Sequence, residues 1–561
     1  MPSDQPPVLI LGAGVHGAAI ARELVLNGVS VEIVEAFDIA FGATSKSSRL
    51  IHGGLRYLEY GDFRLVRESL TARADLLELA PQFVTPLRLH MPTSRRWSGL
   101  LRSLIGFCGW SRTKFGRRVA AARVGRGYWP LRIGLALYDQ LAPHRQLPPS
   151  SAAAVGTPGT PRVDSARYRW LCSYSDAQML YPERFVQALL ADARQIAETQ
   201  PVGFQLWTHA RVVRSADAWR IHDRTTDREL SRCRPACVIN ATGAWGDATR
   251  EQLQITGELQ FGGTKGTHFL TWNDPLRKSL GNAAVYAEAD DGRLVFILPF
   301  GDAVLVGTTD ETFAASPESA RATDEELDYL LRLAGGVMNC RLTRADIAAH
   351  YSGVRPLPRS SAATNAAVSR DHLIVEQRVE DRTLFTLVGG KLTTWREFAE
   401  QVTDRALHAI ARPRRITTQR RPIPGSEEFP PDDTTRAALW LRWAAETGAD
   451  LPLIAALWPL YGTRAETVLA ACRHDFGTPI AGTAFTNGVV RWIIDHEWVR
   501  TLSDLVERRL MLVFAHYLSH QTLLDLAACL IASGKLSPDD LAKSVADAEQ
   551  RLTEDYGRCW E

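Results

Sequence analysis

The 561-residue chain has no run of 18 apolar residues, so no helix long enough to cross a bilayer is expected. It is also poor in cysteine. Its eight cysteines form no C-x-x-C pair, and the closest two, Cys233 and Cys237, have no histidine beside them. That pattern excludes a disulfide scaffold and a structural zinc, leaving reduced thiols and no expected metal. The opening Met-Pro-Ser-Asp-Gln-Pro-Pro lacks the basic and apolar parts of a secretory signal.

The most informative absence is of acid. Between Leu79 and Tyr138 there is no Asp or Glu, while Arg88, Arg95, Arg96, Arg102, Arg112, Lys114, Arg117, Arg118, Arg123, Arg126 and Arg132 supply eleven positive charges. In a chain of net charge +2 the remainder therefore carries −9. A stretch of one sign seeks an anionic surface. Trp97, Leu100, Leu101, Leu104, Ile105, Phe107 and Trp110 lie among those arginines, the composition of a segment held in a headgroup layer by apolar burial and attraction to anionic lipid. A basic loop without regular structure and a nucleic-acid patch are the competing readings. The lipid surface is preferred, and no nucleic acid is expected as a partner.

What is present is a globular composition, 45% apolar and 23% charged, in a length that suits two to four domains of about 150 residues. The chain is organised around Val8 to Glu35. An apolar run, Val8-Leu9-Ile10-Leu11, is followed by Gly12-Ala13-Gly14-Val15-His16-Gly17, then by helical spacing to Leu26, then by a second apolar run ending in Glu35. That is strand, tight turn, helix, strand. Gly12 permits the turn, Gly14 lets the backbone approach a pyrophosphate, and Gly17 lets helix and sheet pack closely. The phosphates then meet free N–H groups at a helix N-terminus. Glu35, 21 positions after Gly14, can hold a ribose hydroxyl pair.

A nicotinamide-binding unit would now proceed to another crossover helix. Instead, residues 36–50 form a loop crowded with small residues and hydroxyls, including Thr44, Ser45 and Ser48. Such a loop suits a cofactor with a long polar chain, as FAD has; a flexible Ser-rich connection is the alternative. A second fingerprint, Val238-Ile239-Asn240-Ala241-Thr242-Gly243, ends an apolar strand in small residues. In this order the pair argues for FAD, with Ala241 and Gly243 against the diphosphate and backbone near Ala210 against the adenine.

Five further motifs carry a resemblance: Ser47 to Glu59 (SSRLIHGGLRYLE), Gly307-Thr308-Thr309-Asp310, Tyr351 to Leu357 (YSGVRPL), Ser369-Arg370-Asp371-His372, and Val388 to Thr394 (VGGKLTT). Together they resemble the FAD-dependent glycerol-3-phosphate dehydrogenases of the aerobic, membrane-associated kind, from the first strand to the C-terminal region. The chain departs from them in the longer basic insert and at Ala314, where some members have a lysine.

The resemblance implies an α/β fold: a Rossmann-like two-segment FAD-binding domain with an inserted antiparallel β-sheet substrate domain, plus a C-terminal all-α domain. The expected division is 1–92 and 146–260 for the first FAD-binding segments with some substrate-domain strands, 93–145 for the basic insert, 261–368 mainly for the substrate sheet, 369–411 for the last FAD-binding segment, 412–433 for a Pro-rich linker, and 434–561 for helices, Leu502 to Tyr517 among them. The implied reaction takes hydride from C2 of sn-glycerol 3-phosphate to flavin N5, with membrane quinone as the acceptor. An O2-using oxidase and a flavoprotein without catalysis are the rivals, and an amine oxidase a third.

Arginine suits the substrate phosphate because its planar fork matches phosphate oxygens and keeps its charge. Arg56 and Arg370 are the phosphate candidates, with Tyr57 as a donor. Arg355 suits a developing alkoxide, and His52 or Lys391 the proton, His52 being preferred. The flavin is expected against Leu50, Gly53, Gly390, Lys391, Leu392 and Thr393, where backbone N–H groups and the positive end of a following helix would stabilise negative charge on the reduced ring. The expected assembly is a homodimer, peripheral on the cytoplasmic face of the cell membrane.

Overall fold

The computed structural model describes residues 6–58, 61–98, 127–142, 147–215, 218–289, 293–359 and 372–560. Most of the basic insert and Arg370 lie outside the described residues, as does the side chain of Arg56.

The first apolar run is a fully buried strand, Val8–Leu11, at the centre of a six-stranded sheet. Its neighbours Val31–Val34 and Val238–Asn240 run parallel to it; Phe204–Trp207 and Arg382–Val388 continue the parallel set outward, and Leu373–Val379 closes one edge antiparallel. Parallel strands covered on both faces need apolar residues on both, which is why these runs do not alternate. Helices Val15–Leu26, Pro182–Thr199 and Trp395–Ala409 cover one face, burying Ile20, Leu24, Phe185, Leu189, Phe398 and Val402. The other face meets a small antiparallel sheet, Ala210–Arg214, Trp219–Asp223 and Glu229–Cys233, over Leu9, Leu11, Val212 and Trp219.

A second sheet of ten strands stands beside the first. It is antiparallel except where Ala284–Glu288 runs parallel to Val84–Thr93. Its largest pairing joins Phe261–Thr271 to Ala349–Pro358, in a register that sets Lys265 opposite Val354 and Thr264 opposite Arg355. The expected 261–368 is only part of it: Leu50–Ile51, Val84–Thr93, Ser151–Ala154 and Trp170–Met179 belong to the same sheet. The sheet thus begins where the loop after Glu35 ends, which brings residues 50–54 under it.

The C-terminal region is helical from Asp433–Thr447 to Leu541–Tyr556. One expected helix is not continuous. Leu502 to Tyr517 is a single turn, Leu502–Asp504, then a wide π turn, Leu505–Arg509, and a 3-10 turn, Leu512–Phe514, with Met511 at φ 56°. The irregular stretch carries buried ion pairs. Arg508 Nε and Arg509 Nη1 both reach Asp38 Oδ2, at 2.6 and 2.8 Å, and Glu507 receives Arg551 Nε at 2.5 Å. All of Glu507, Arg508 and Arg509 are buried, and the wide π turn is where these three consecutive charged side chains meet their partners.

The Pro-rich 412–433 is also more than a linker. Asn27 Oδ1 accepts from the N–H of Arg415 at 2.7 Å, Glu23 Oε1 accepts from that of Thr418 at 3.1 Å, and Asp192 binds both Arg22 and Arg421. A buried Arg184–Glu497 pair, 2.6 and 2.9 Å, completes the attachment of the helical region.

Candidate functional site

A cavity of about 610 Å³ runs between the two sheets, within the size range of cofactor pockets. At one end, Ala210, Val212 and Leu253 line it; midway, Gly12, Gly14, Thr44, Ala241 and Gly243; at the other end, His52, Tyr57, His268, Arg355 and Gly390 to Thr393.

Backbone demands explain the middle. Gly12 has φ 100°, and a Cβ there would stand 2.7 Å from the Ala241 carbonyl oxygen, so the two fingerprints are packed main chain to main chain. A Cβ on Gly17 would lie 2.0 Å from the Gly12 oxygen. Glu35 closes the turn: its Oε2 accepts from Ala13 N–H at 2.8 Å and its Oε1 from Phe37 N–H at 2.9 Å. Burial raises its pKa and those two bonds oppose the rise. Thr44 Oγ1 accepts the N–H of Val15, 3.2 Å, in the first turn of the helix. This end of the helix offers the donors and field that a diphosphate needs.

At the far end, Gly389 and Gly390 adopt φ 82° and 90°. Gly389 N–H donates to the Pro356 carbonyl at 2.7 Å, tying the Gly-Gly-Lys turn to the strand that carries Arg355. Arg355 is fixed by the Gly-Thr-Thr-Asp turn, donating to Asp310 Oδ1 at 2.9 Å, Thr308 Oγ1 at 3.1 Å and the Thr309 carbonyl at 3.1 Å. Lys391 Nζ lies 4.1 Å from the centre of the Tyr57 ring and has no hydrogen-bond partner among the described residues. A buried ammonium in that condition is a receptor for an anion or a hydroxyl.

The cavity thus gathers His52, Arg355, Lys391, Tyr57, Gly12, Gly14, Glu35, Thr44, Ser48, Leu50, Ala210, Ala241, Gly243, Gly390, Leu392 and Thr393 in one lining. Three expected contacts are off it. Gly17 is spent on packing against the Gly12 oxygen. Ser45 turns inward to the carbonyls of Phe41 and Gly42, at 3.0 and 3.2 Å, and Ser47 lines the cavity in its place. Gly53 N–H points away, to Asp176 Oδ1.

Two histidines that the sequence reading passed over also line the cavity. His268 is buried, stacked on Tyr351 at 4.9 Å and bonded through Nε2 to Ser48 Oγ at 2.9 Å. Burial, and then the charges of Arg355 and Arg49, push its pKa down to about 3. His16, edge-on to Phe398 at 5.0 Å, falls to about 4, first through burial and then through His372. Both rings are therefore neutral near pH 7. Their signals were weak: His16 occupies a variable position of the glycine fingerprint, and His268 sits in a run, Gly263 to Phe269, legible only as strand.

The long cavity, the glycine cradle and the donors at the helix N-terminus fit FAD. Comparison with known proteins agrees. The family described as FAD dependent oxidoreductase matches residues 7–394, and the C-terminal domain of alpha-glycerophosphate oxidase matches residues 416–535. The chain is 31% identical over 536 residues to a glycerol-3-phosphate dehydrogenase of Synechocystis sp., covering 90% of this chain and 88% of that relative. It is 30% identical over 523 residues to the D-erythritol 1-phosphate dehydrogenase of Brucella abortus, covering 90% and 93%. Among solved structures, glycerol-3-phosphate dehydrogenase from Bacillus halodurans complexed with FAD shares the fold, with a TM-score of 0.71 and 21% identity over 99% of this chain and 95% of that one.

Proposed function

The chain belongs to the FAD dependent oxidoreductase family, and from that premise we propose that it oxidises a phosphorylated polyol, sn-glycerol 3-phosphate first, at C2 to the ketone. Bound FAD supplies the hydride acceptor, at N5, and the means of passing electrons onward. The observation that carries this reading is that His52, Arg355 and Lys391, from three separate motifs, meet in one cavity lining beside the Gly389-Gly390 turn.

The residues divide the work by charge. Arg355, oriented by Asp310, stabilises the developing alkoxide on the C2 oxygen. Lys391 sits over the Tyr57 ring face, which attracts it as a cation, so it completes the field for the substrate and leaves His52 to take the hydroxyl proton. His16 and His268, neutral near pH 7, add no positive charge of their own toward the dianion. Arg56 and Arg370 remain the phosphate candidates, with Tyr57 as a donor.

Membrane quinone is the proposed electron acceptor. Trp97 and Trp129 stack at 6.0 Å at the base of the basic insert, and both are exposed with Ile133, at 60%, 43% and 57%. Aromatic and aliphatic side chains beside Arg95 and Arg96 suit the headgroup layer of an anionic membrane, on its cytoplasmic face. Among the described residues no helix is long and apolar enough to cross a membrane. The oxidase name of the C-terminal match favours O2 as a second reading.

Turnover with an artificial quinone tests both. Glycerol 3-phosphate and erythritol phosphate should support turnover and glycerol should not, with quinone reduction far exceeding peroxide release. Peroxide matching substrate consumed transfers the chain to the oxidases, and turnover on unphosphorylated glycerol removes the phosphate reading.

A further inference from the structure

The turn that carries His52 is held from behind by a carboxylate that substrate binding and proton transfer leave unused. Asp176 lies in strand Trp170–Met179, next to Ala177, which pairs with Ile51. Its Oδ1 accepts from three elements: Gly53 N–H at 3.1 Å, Arg73 Nη1 at 2.5 Å from helix Phe63–Leu79, and Tyr138 Oη at 2.7 Å from helix Tyr128–Leu141. Asp176, Arg73 and Tyr138 are 1%, 6% and 2% exposed. Asp176 Oδ2 has no hydrogen-bond partner among the described residues. A Cβ on Gly53 would stand 2.1 Å from Tyr138 Oη and 2.4 Å from Leu70 Cδ2, so the turn lies directly on this cluster with no slack.

Stability is a poor reason for such a cluster. A buried ion pair roughly breaks even against apolar side chains of the same volume, and here one carboxylate oxygen carries every donor while the other has none. What the arrangement does secure is a fixed acceptor for the N–H that follows His52. A displacement of about 1 Å at a reacting group can cost a hundredfold in rate.

We propose that Asp176, held by Arg73 and Tyr138, positions His52 for proton transfer and sets the charge behind it; this rests on His52 as the proton acceptor. Among the described residues, the charged and titratable groups around His52 include Asp176, Arg73 and Tyr138 behind the turn and Tyr57 in the short helix Leu55–Leu58, and the shared lining adds Lys391, Arg355, His268, His16, Lys46 and Arg49. The Arg73–Asp176 pair is neutral as a unit. Asp176→Asn removes the anion and leaves an unpaired buried guanidinium, which disfavours a protonated imidazole. Tyr138→Phe removes one bond and no charge.

The test compares kcat and its pH profile in the FAD-loaded wild type, Asp176→Asn, Tyr138→Phe and His52→Gln. The acid limb of the wild-type profile should disappear in His52→Gln. In Asp176→Asn it should move down by about half a pH unit or more, the direction a nearby positive charge imposes. In Tyr138→Phe the limb should stay while kcat falls about three- to tenfold with KM within about twofold, as expected for misplacement alone. An unmoved limb in Asp176→Asn, or an unchanged kcat in Tyr138→Phe, overturns the proposal. Should Asp176→Asn fail to fold, Tyr138→Phe decides alone. A limb that persists in His52→Gln overturns instead the reading of His52 as the base, on which the proposal stands.

Discussion

Two regions with buried basic side chains are treated in opposite ways in this molecule. Around Asp38, where the helical region meets the loop after Glu35, Arg508 and Arg509 each have a carboxylate at 2.6–2.8 Å, and Arg184 has Glu497 at 2.6 Å. In the cavity, Lys391 has no hydrogen-bond partner among the described residues, and the two nearby imidazoles are driven neutral. The first region is closed, with charge cancelled inside the protein. The second leaves one ammonium, that of Lys391, without such a partner among the described residues. Burial of a charge thus separates a seam from a site only when its partners are counted.

The largest separation of the two should come from arginine. Arg355→Met is expected to lower kcat/KM for glycerol 3-phosphate by about 10³-fold, as loss of a group that stabilises transition-state oxyanion charge does, with FAD content and melting temperature little changed. Asp38→Asn should do the reverse: breaking a buried pair from one side costs about 3–5 kcal/mol, read as a lower denaturation midpoint, while activity per bound flavin survives. If both variants lost activity in proportion to stability, the contrast would be void.

A smaller effect is pH-dependent. His16 has a folded pKa of about 4 against an ordinary value of 6.5. The unfolded chain therefore binds the proton first, and stability is intact above about pH 6.5 and declines as pH falls toward 4, by on the order of 2–3 kcal/mol. His16→Asn should flatten melting temperature against pH over that interval; an unaltered slope would mean that the ring is not sealed in. Smallest is Thr44→Val, which removes the acceptor of Val15 N–H and should weaken FAD retention by about 1 kcal/mol, measured by dialysis against free flavin.

Local chemistry was legible from the sequence and long-range pairing was not. The Gly12 to Gly17 turn, Glu35 and the Gly389-Gly390 turn are read from neighbouring residues, because backbone conformation and helix entry are set over a few positions. A capping box, Thr323 with Glu326, is equally local and opens the helix Asp324–Met338. Asp176 carries no local mark of its role, since its partners Arg73 and Gly53 lie 103 and 123 residues away. Within the expected helix Leu502 to Tyr517 nothing local marks Arg508 and Arg509 as buried, since charge ordinarily faces solvent, and their partner Asp38 is about 470 residues earlier. His268 was missed for the same reason: nothing near it in the chain announces Ser48 or Tyr351.

The most direct test of the role given to that ammonium is an anaerobic titration of the FAD-loaded protein with sn-glycerol 3-phosphate, followed by the visible absorbance of the flavin. Stoichiometric bleaching by the phosphorylated polyol, none by glycerol, and bleaching at least about tenfold weaker in Lys391→Met are the predicted results. A flavin that stays yellow with the phosphate ester, or that glycerol bleaches equally well, would contradict the account.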